Sequence, residues 1–432
     1  MQPLQIKRFE NVLAMKTATG KVVGFHALNL QVAELDPSVW EALDADSSVE
    51  AKSELKQWND ERDAAVTDGH VASKIRQLTI NVAQICNLKC TYCAAGGDGT
   101  YGTKTAKIDV TKATEQLDML LHDVKNGESF QVNFLGGEPL IYPQAIDSIA
   151  RHARLATAGR NINLYFSITT NGTLITAANA ELLAKLKMNV TISMDGDPET
   201  NDKHRPTAGG RGSSKLTLRG ISELFKVKDR LGSVAVHSVF GSHNTNVVAA
   251  YTYMKQFAWD GINLGYAAGA DDDVVSPKYV DGMFEVAKLA WDENGEAGLR
   301  RITQFDHFFR ILDGQQRIHN YCGAGKSLLQ VDTDGRFTTC NWWVNDKEEQ
   351  VGEDLNLNHE ALKQFAKPLI ELNNCGNCWA KHMCGGGCMF VHKLKSGNKH
   401  KTDNEFCIRT RSLITKGIEY YEQARNVSSG AN

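Results

Sequence analysis

The chain has no apolar run approaching the roughly 20 residues that a bilayer-spanning helix needs, so no transmembrane segment is expected. It also lacks an excess of one charge: 48 Lys and Arg stand against 51 Asp and Glu, a formal net charge of −3. That balance gives no polycationic footprint and disfavours nucleic acid as a partner. The opening stretch MQPLQIKRFENVLAMK has no continuous apolar core, so no secretory signal is read there. No internal repeat or low-complexity tract interrupts the chain. These absences lead to an expected cytoplasmic location, with no membrane partner. In that reducing compartment thiols serve as metal ligands more readily than as a disulfide framework. What is present is ordinary for a globular protein. The chain has 432 residues, 42% hydrophobic and 23% charged, enough for two or three domains with large cores.

Residues 1–70 carry no cysteine and read as a small α+β unit. Val22, Val23 and Phe25 suggest a strand after the Thr19-Gly20 turn, and residues 28–35 a second. Pro37 then opens a helix with Val39, Trp40, Ala42 and Leu43 on its apolar face. Residues 50–68 are polar with helical character and lead onward.

From residue 75 the pattern alternates strand and helix. Strands are expected at 77–82, 131–135, 163–168, 189–194, 233–240 and 263–267, with helices at 110–124, 142–156 and 177–186 between them. Consecutive βα units imply a parallel sheet with helices outside, most simply a partial (β/α)6 TIM-like barrel. Active sites of such barrels lie at the C-terminal strand ends. Four polar or glycine-rich segments fall there: Cys86 after the first strand, Gly136-Gly137-Glu138-Pro139 after the second, Thr170-Asn171-Gly172 after the third and Asp195-Gly196 after the fourth. The loop 208–214 is glycine-rich and suggests a lid. Helices at 278–292 and 302–312 lead into a cysteine-rich end, and the tail 428–432 reads as disordered.

All 10 cysteines belong to two spacing patterns. Cys86, Cys90 and Cys93 read C-x3-C-x2-C; the other seven lie in the last third. Such spacings suit zinc or iron–sulfur clusters. Three thiolates can hold three irons of a [4Fe–4S] cube and leave the fourth for water or a substrate. A structural zinc wants four closed ligands, and no histidine sits at ligand spacing near this triplet.

The segment Cys86-Asn-Leu-Lys-Cys90-Thr-Tyr92-Cys93 resembles the signature of the radical S-adenosylmethionine (SAM) superfamily, with its aromatic residue before the last cysteine. The resemblance implies a cluster whose open iron binds the amino and carboxylate groups of SAM, and a 5′-deoxyadenosyl radical released on reduction. Chemistry of that kind belongs to the cofactor, which the protein positions and shields. Gly136, Gly137, Glu138 and Pro139 match the family's GGEP segment, which takes the methionine ammonium. Thr170, Asn171, Ser193 and Asp195 resemble rim residues that contact SAM in relatives, and Arg205 is a candidate partner for its carboxylate.

The second group, Cys322, Gly335-x4-Cys340, then Cys375-x2-Cys378-x5-Cys384-x3-Cys388 and Cys407, resembles the SPASM domain in all seven positions. The resemblance implies two further [4Fe–4S] clusters, three in all. The outer one would be held by Cys375, Cys378, Cys384 and Cys407, and the inner one by Cys322, Cys340 and Cys388. The inner set is one thiolate short, leaving an open iron or a ligand such as His319 or Asp313. The implied organisation is a leader-binding-like unit over 1–70, a radical SAM partial barrel over 75–310 and a SPASM domain over 315–427. Gly323-Ala-Gly325-Lys326-Ser327 mimics the end of a Walker A loop, but the leading glycine is replaced by Asn320, which argues against ATP.

Enzymes of this resemblance modify peptides. Sulfatase-maturating members, which make formylglycine, place an Asp after the G-x4-C cysteine as proton acceptor; here Asn341 stands there and cannot act as a base. That departure favours the members that mature ribosomally made peptides by joining side chains through C–C, ether or thioether bonds. The cyclophane and darobactin kinds are the expected type. The implied partners are a precursor peptide with a leader, captured by β-augmentation, and a low-potential donor of the flavodoxin or ferredoxin type. Trp342 and Trp343 are candidates for the substrate cavity or the core. A multi-cluster electron carrier without enzymatic activity is the alternative that the SAM-facing segments argue against.

Overall fold

The computed structural model describes residues 5–17, 19–43, 49–63, 65–69, 74–93, 107–268, 273–344 and 346–429. They form two compact units. One comprises residues 1–71, 269–322 and 367–432, the other residues 72–268 and 323–366.

In the first unit an antiparallel meander runs in the order β1 (Gln5–Phe9), β2 (Val12–Lys16), β3 (Val22–His26), β4 (Gln31–Leu35). The β3 and β4 strands meet the sequence expectation. The first hairpin was not foreseen. Its strands are five residues each, and Glu10, at φ 51°, takes the turn position where glycine usually signals one. Helix Pro37–Ala42 starts on an Asp36 cap that accepts from Ser38 N at 2.8 Å. It packs with helix Val49–Asp60 over a core of Val12, Val39, Ala42 and Leu55. The two-residue strands β5 (Thr67–Asp68) and β12 (Gln316–Arg317) pair in parallel. The longest of the later helices in the unit are Val275–Arg300, Thr303–Gly314 and Asn404–Ser429; Leu369–Leu372, Lys381–Cys384 and Met389–Ser396 are shorter. The helix from Val275 runs beyond the expected 278–292 and bends at Asn294 and Gly295. The helix from Asn404 continues through Ser429, into the tail read as disordered; residues 430–432 lie outside the described residues.

The second unit holds six parallel strands in sequence order: β6 (Gln77–Ala83), β7 (Ser129–Gly136), β8 (Asn163–Thr170), β9 (Asn189–Ser193), β10 (Ser233–Phe240) and β11 (Gly261–Tyr266). All six lie within two residues of their expected bounds. Helices Val110–His122, Pro143–Ala156 and Ala177–Lys185 occupy the connections. Alternation along the strands sorts the side chains. On β10, Val234, Val236, Ser238 and Phe240 are buried, while Ala235, His237 and Val239 lie on the other face. That other face is polar on its neighbours too: Gln131 donates to Asn133 at 2.7 Å, and Asn133 to Thr79 at 3.2 Å.

The sheet does not end at β6. Strand β13 (Leu328–Val331) pairs with β6 in parallel, Leu329 opposite Leu78, and an antiparallel extension follows through β14 (Arg336–Thr338), β15 (Gln350–Glu353) and β16 (Asn356–Leu357). The segments 1–70, 75–310 and 315–427 are therefore not consecutive compact bodies. Residues 323–366 belong with the parallel sheet because β13 hydrogen-bonds to its free edge, and residues 269–322 group with the first unit. Lys326 of the false Walker A stretch is buried and its ammonium donates to Phe365 O, unavailable to a phosphate.

Candidate active site

Strand β6 delivers the chain into the loop that bears Cys86, Cys90 and Cys93. Leu88 N donates to Cys86 Sγ at 3.4 Å, and Cys93 N to Cys90 O at 3.2 Å. The loop is clamped by the segment after helix Pro198–His204. Lys89 N donates to Pro206 O at 2.8 Å, Thr91 N to His204 O at 2.9 Å, and Ala208 N to Asn87 O at 2.9 Å. The start of the expected 208–214 lid is thus tied to the cysteine loop, and Ser213 at its end is fully buried.

The glycines of the second rim segment are there for space. Gly136 has φ 137°, and a Cβ on it would lie 2.4 Å from Ala83 O; a Cβ on Gly137 would lie 2.4 Å from Ile85 O, just before Cys86. Glu138 is buried and its carboxylate accepts from Thr170 Oγ1 at 2.7 Å, Asn171 N at 2.8 Å and Leu140 N at 3.0 Å. Burial raises its pKa, and those donors oppose the shift. It ties the end of β7 to the end of β8. Asn171 in turn donates to Asn87 Oδ1 at 2.9 Å, beside Cys86.

These elements enclose a cavity of about 490 Å³. Cys86, Cys90, Tyr92, Cys93, Gly136, Gly137, Glu138, Thr170, Asn171, Ser193 and Arg205 line it, joined by His237, Tyr266, Gln330, Asn341 and Trp342. Two of the expected SAM contacts, Asp195 and Pro139, do not line this cavity. Asp195 is fully buried and is not part of the wall. One of its oxygens accepts from Tyr92 Oη at 2.5 Å, the other from Val239 N at 3.1 Å. Pro139 is also buried behind the wall, opening a short 3-10 turn. Arg205 does reach the cavity, but its guanidinium donates to Tyr92 Oη at 2.5 Å. Of the two tryptophans, Trp342 lines the cavity and Trp343 is in the core.

Burial pushes the free Cys86 thiol up to about 12, with Glu138, Cys90 and Cys93 adding to the shift. Three thiols that feel one another at one cavity wall fit a cluster bound by three thiolates. Among the described residues no three His, Cys, Asp or Glu side chains converge as ligands of a single ion would; cluster ligands sit at separate corners.

In the other unit, Cys375, Cys378, Cys384 and Cys407 line a small cavity of about 30 Å³. Burial raises Cys375 to about 11, with Cys378 and Cys407 contributing, and Cys384 to about 12. Gly385, Gly386 and Gly387 follow with φ 71°, 97° and 82°, wrapping the backbone around Cys384. Cys322 and Cys388 belong to this unit and Cys340 to the unit of the parallel sheet. The two non-cysteine ligands considered for the inner set are engaged elsewhere: His319 Nε2 lies 2.9 Å from Asp68 Oδ1, and Asp313 accepts from Arg300 at 2.6 Å and from Arg425.

Sequence reasoning missed His237, Gln330 and Asn81. Each is a large polar side chain within a mainly apolar strand, the one signal that could have found them.

Residues 80–245 match the model of the Radical SAM superfamily, a span that runs from β6 past β10 and takes in the cysteine triplet and the rim segments. The chain carries a radical SAM domain and is an enzyme; the family of that domain implies SAM and a [4Fe–4S] cluster. It is 26% identical over 341 residues, 73% of this chain and 80% of the relative, to a serine-type anaerobic sulfatase-maturating enzyme of Klebsiella aerogenes. It is 24% identical over 393 residues, 85% of this chain and 79% of the relative, to the radical SAM cyclopropyl synthase TigE of Paramaledivibacter caminithermalis. Among solved structures, anSMEcpe with bound AdoMet and the Kp18Cys peptide superposes with a TM-score of 0.67 at 20% identity, covering 81% of this chain and 99% of that one. Streptococcus suis SuiB bound to precursor peptide SuiA does so at 0.52 and 16% identity, covering 93% and 100%. Among the described residues no helix is long and apolar enough to cross a membrane.

Proposed function

We propose that this enzyme oxidatively crosslinks side chains of a ribosomally synthesised precursor peptide, through a C–C or ether bond formed after hydrogen abstraction. The observation that carries the reading is the composition of the cavity wall. Three thiols stand at the end of β6, and Asn341 and Trp342 line the same space, with an amide where formylglycine makers have a carboxylate. The proposed ligands are Cys86, Cys90 and Cys93 for the SAM cluster, Cys375, Cys378, Cys384 and Cys407 for an outer auxiliary cluster, and Cys322, Cys340 and Cys388 for an inner one. When bound, the reduced cluster and SAM supply a deoxyadenosyl radical that removes a hydrogen atom from a side-chain carbon. The chain's own part is to orient and to exclude water. Glu138, Thr170, Asn171 and Ser193 present polar atoms to the methionine end, Arg205 sets a positive charge beside Cys90, and Trp342 offers an aromatic face to the substrate. Residues 1–70 are assigned to leader capture, and a flavodoxin or ferredoxin to electron supply.

The relatives support a peptide or protein substrate: TigE is a radical SAM cyclopropyl synthase, and SuiB is seen bound to its precursor peptide SuiA. Sulfatase-maturating relatives support formylglycine formation as a second reading. The test is anoxic coexpression with short open reading frames from the same locus, followed by tandem mass spectrometry. A peptide that loses two hydrogens and resists fragmentation between two residues supports crosslinking. A hydrazide-reactive aldehyde at one Ser or Cys supports the second reading. Unchanged peptides alongside SAM cleavage would sink both.

A further inference from the structure

We propose that His237 takes up the proton released when the substrate radical is oxidised, and so is the general base that the sequence did not reveal. The inference rests on the oxidative peptide-modifying reading above, and holds for either bond type. A substrate carbon radical that becomes a closed-shell crosslink or aldehyde must lose one electron and one proton. The one-electron acceptor would be an oxidised iron–sulfur cluster of the proposed auxiliary set, such as the one Cys375, Cys378, Cys384 and Cys407 would hold. The proton needs a lone pair at the cavity wall.

Among the described residues of that wall, the other titratable groups are committed or unsuited. The cysteines are the proposed metal ligands. Tyr92 and Arg205 hold each other at 2.5 Å. Glu138 already accepts from Thr170, Asn171 and Leu140. Tyr266 offers a phenol, itself a proton donor, and Asn341 has no basic atom. His237 remains. It sits at the middle of β10, between Ser193 of β9 and Asn263 of β11, on the strand face that forms the cavity. Its ring makes no hydrogen bond among the described residues. Space for the ring is made by Gly265, where a Cβ would lie 2.6 Å from His237 Nε2.

The charged groups facing His237 are Asp195 at the end of β9, which favours the imidazolium, and Arg205, which opposes it. Burial is the larger influence and holds the pKa below the ordinary value of 6.5, so the imidazole is neutral and ready to accept at pH 7. Uptake forms imidazolium beside Asp195, and the proton then leaves to solvent between turnovers.

The test uses the reconstituted, anoxic holoenzyme with SAM, a reductant and the coexpressed peptide, and measures peptide product and deoxyadenosine together. In His237→Asn, deoxyadenosine formation and the cluster's electron paramagnetic resonance signal should persist. Product per deoxyadenosine should fall about 100-fold, and in D2O unconverted peptide should gain deuterium as its radical is quenched. Wild-type coupling should decline in acid with an apparent pKa below 6.5, a limb absent from His237→Asn. Gly265→Ala, which pushes the ring without removing it, should uncouple partly, and it stands in if His237→Asn does not fold. Unchanged coupling and pH profile in the variants overturn the proposal. So does loss of SAM binding with intact clusters, which would make His237 a cofactor contact. Wild-type enzyme that cleaves SAM yet modifies no peptide overturns the substrate reading, and His237 with it; coupled wild type with equally coupled variants overturns His237 alone.

Discussion

The phenol of Tyr92 donates to Asp195 Oδ2 at 2.5 Å, joining the cysteine loop after β6 to the end of β9. Arg205 completes the arrangement by donating to the same phenol oxygen, with its guanidinium 4.0 Å from Asp195. The aromatic residue of the cysteine triplet is therefore a fastener, and the ring also stacks on His243 at 4.2 Å. Tyr92→Phe keeps the ring and removes the hydroxyl, leaving Asp195 Oδ2 and Arg205 without their shared partner. The expected cost is about 1–3 kcal/mol, read as a lowered Tm, together with weaker SAM cleavage as the loop loses its anchor. An unchanged melting curve would show that the fastener contributes nothing.

The cysteine triplet should be indispensable for radical chemistry. Cys86→Ala, Cys90→Ala or Cys93→Ala removes one thiolate from a three-thiolate set, and SAM cleavage to deoxyadenosine under reducing, anoxic conditions should be abolished. Any of these variants that still made deoxyadenosine at the wild-type rate would rule the assignment out.

Gly137→Ala tests the close approach of the rim to the cysteine loop. The new methyl carbon would lie 2.4 Å from Ile85 O, next to Cys86, so one of the two segments has to move. Iron content and SAM affinity should both drop. The loss of stability should be of the overpacking size, about 1–3 kcal/mol.

Glu138→Gln probes the link between β7 and β8. The carboxylate accepts from three donors, and a carboxamide has an NH2 group in place of one accepting oxygen. Facing Asn171 N or Thr170 Oγ1 with a donor should cost about 1–3 kcal/mol. The KM for SAM should rise more than kcat falls, since the change is to the shape of the binding wall.

His26 predicts an acid sensitivity of the unit that holds the N-terminal meander. It is fully buried, its Nδ1 accepts from Asn29 N at 3.0 Å, and its Nε2 faces Asn59 O at 3.3 Å. Burial lowers its pKa below 6.5 in the folded state. Below that value the unfolded chain binds a proton that the folded chain refuses, so stability is full above about pH 6.5 and falls as the pH drops toward the folded-state value. Melting from pH 7.5 to 5 should show that decline, and His26→Gln should be less stable at pH 7.5 but with a shallower slope. Parallel slopes would remove His26 as a cause.

The six strands of the parallel sheet were legible because each sets apolar residues at alternate positions between polar turns, and so were the cysteine spacings, which are one-dimensional by nature. The hairpin of β1 and β2 was not, since Glu10 and Asn11 turn the chain without glycine. The edge strand β13 was also hidden. Its four residues fall in the cysteine-rich end, and only the free edge of β6 explains where they go. Asp195 looked like a cofactor contact because it sits at a strand end. Whether a rim carboxylate faces the cavity or the wall behind it depends on a partner, here Tyr92, more than a hundred residues away.

By itself the sequence determined the class of chemistry. Three cysteines at fixed spacing, a GGEP rim and alternating βα units mark a radical SAM domain, because such spacings are local properties that survive any detail of packing. The tertiary structure decided which rim residues reach the cavity. Glu138, Thr170 and Asn171 lock two strand ends together, Asp195 turns away to Tyr92, and His237 comes forward because Gly265 leaves room for its ring. Those choices depend on contacts between distant strands, and only the folded sheet supplies them.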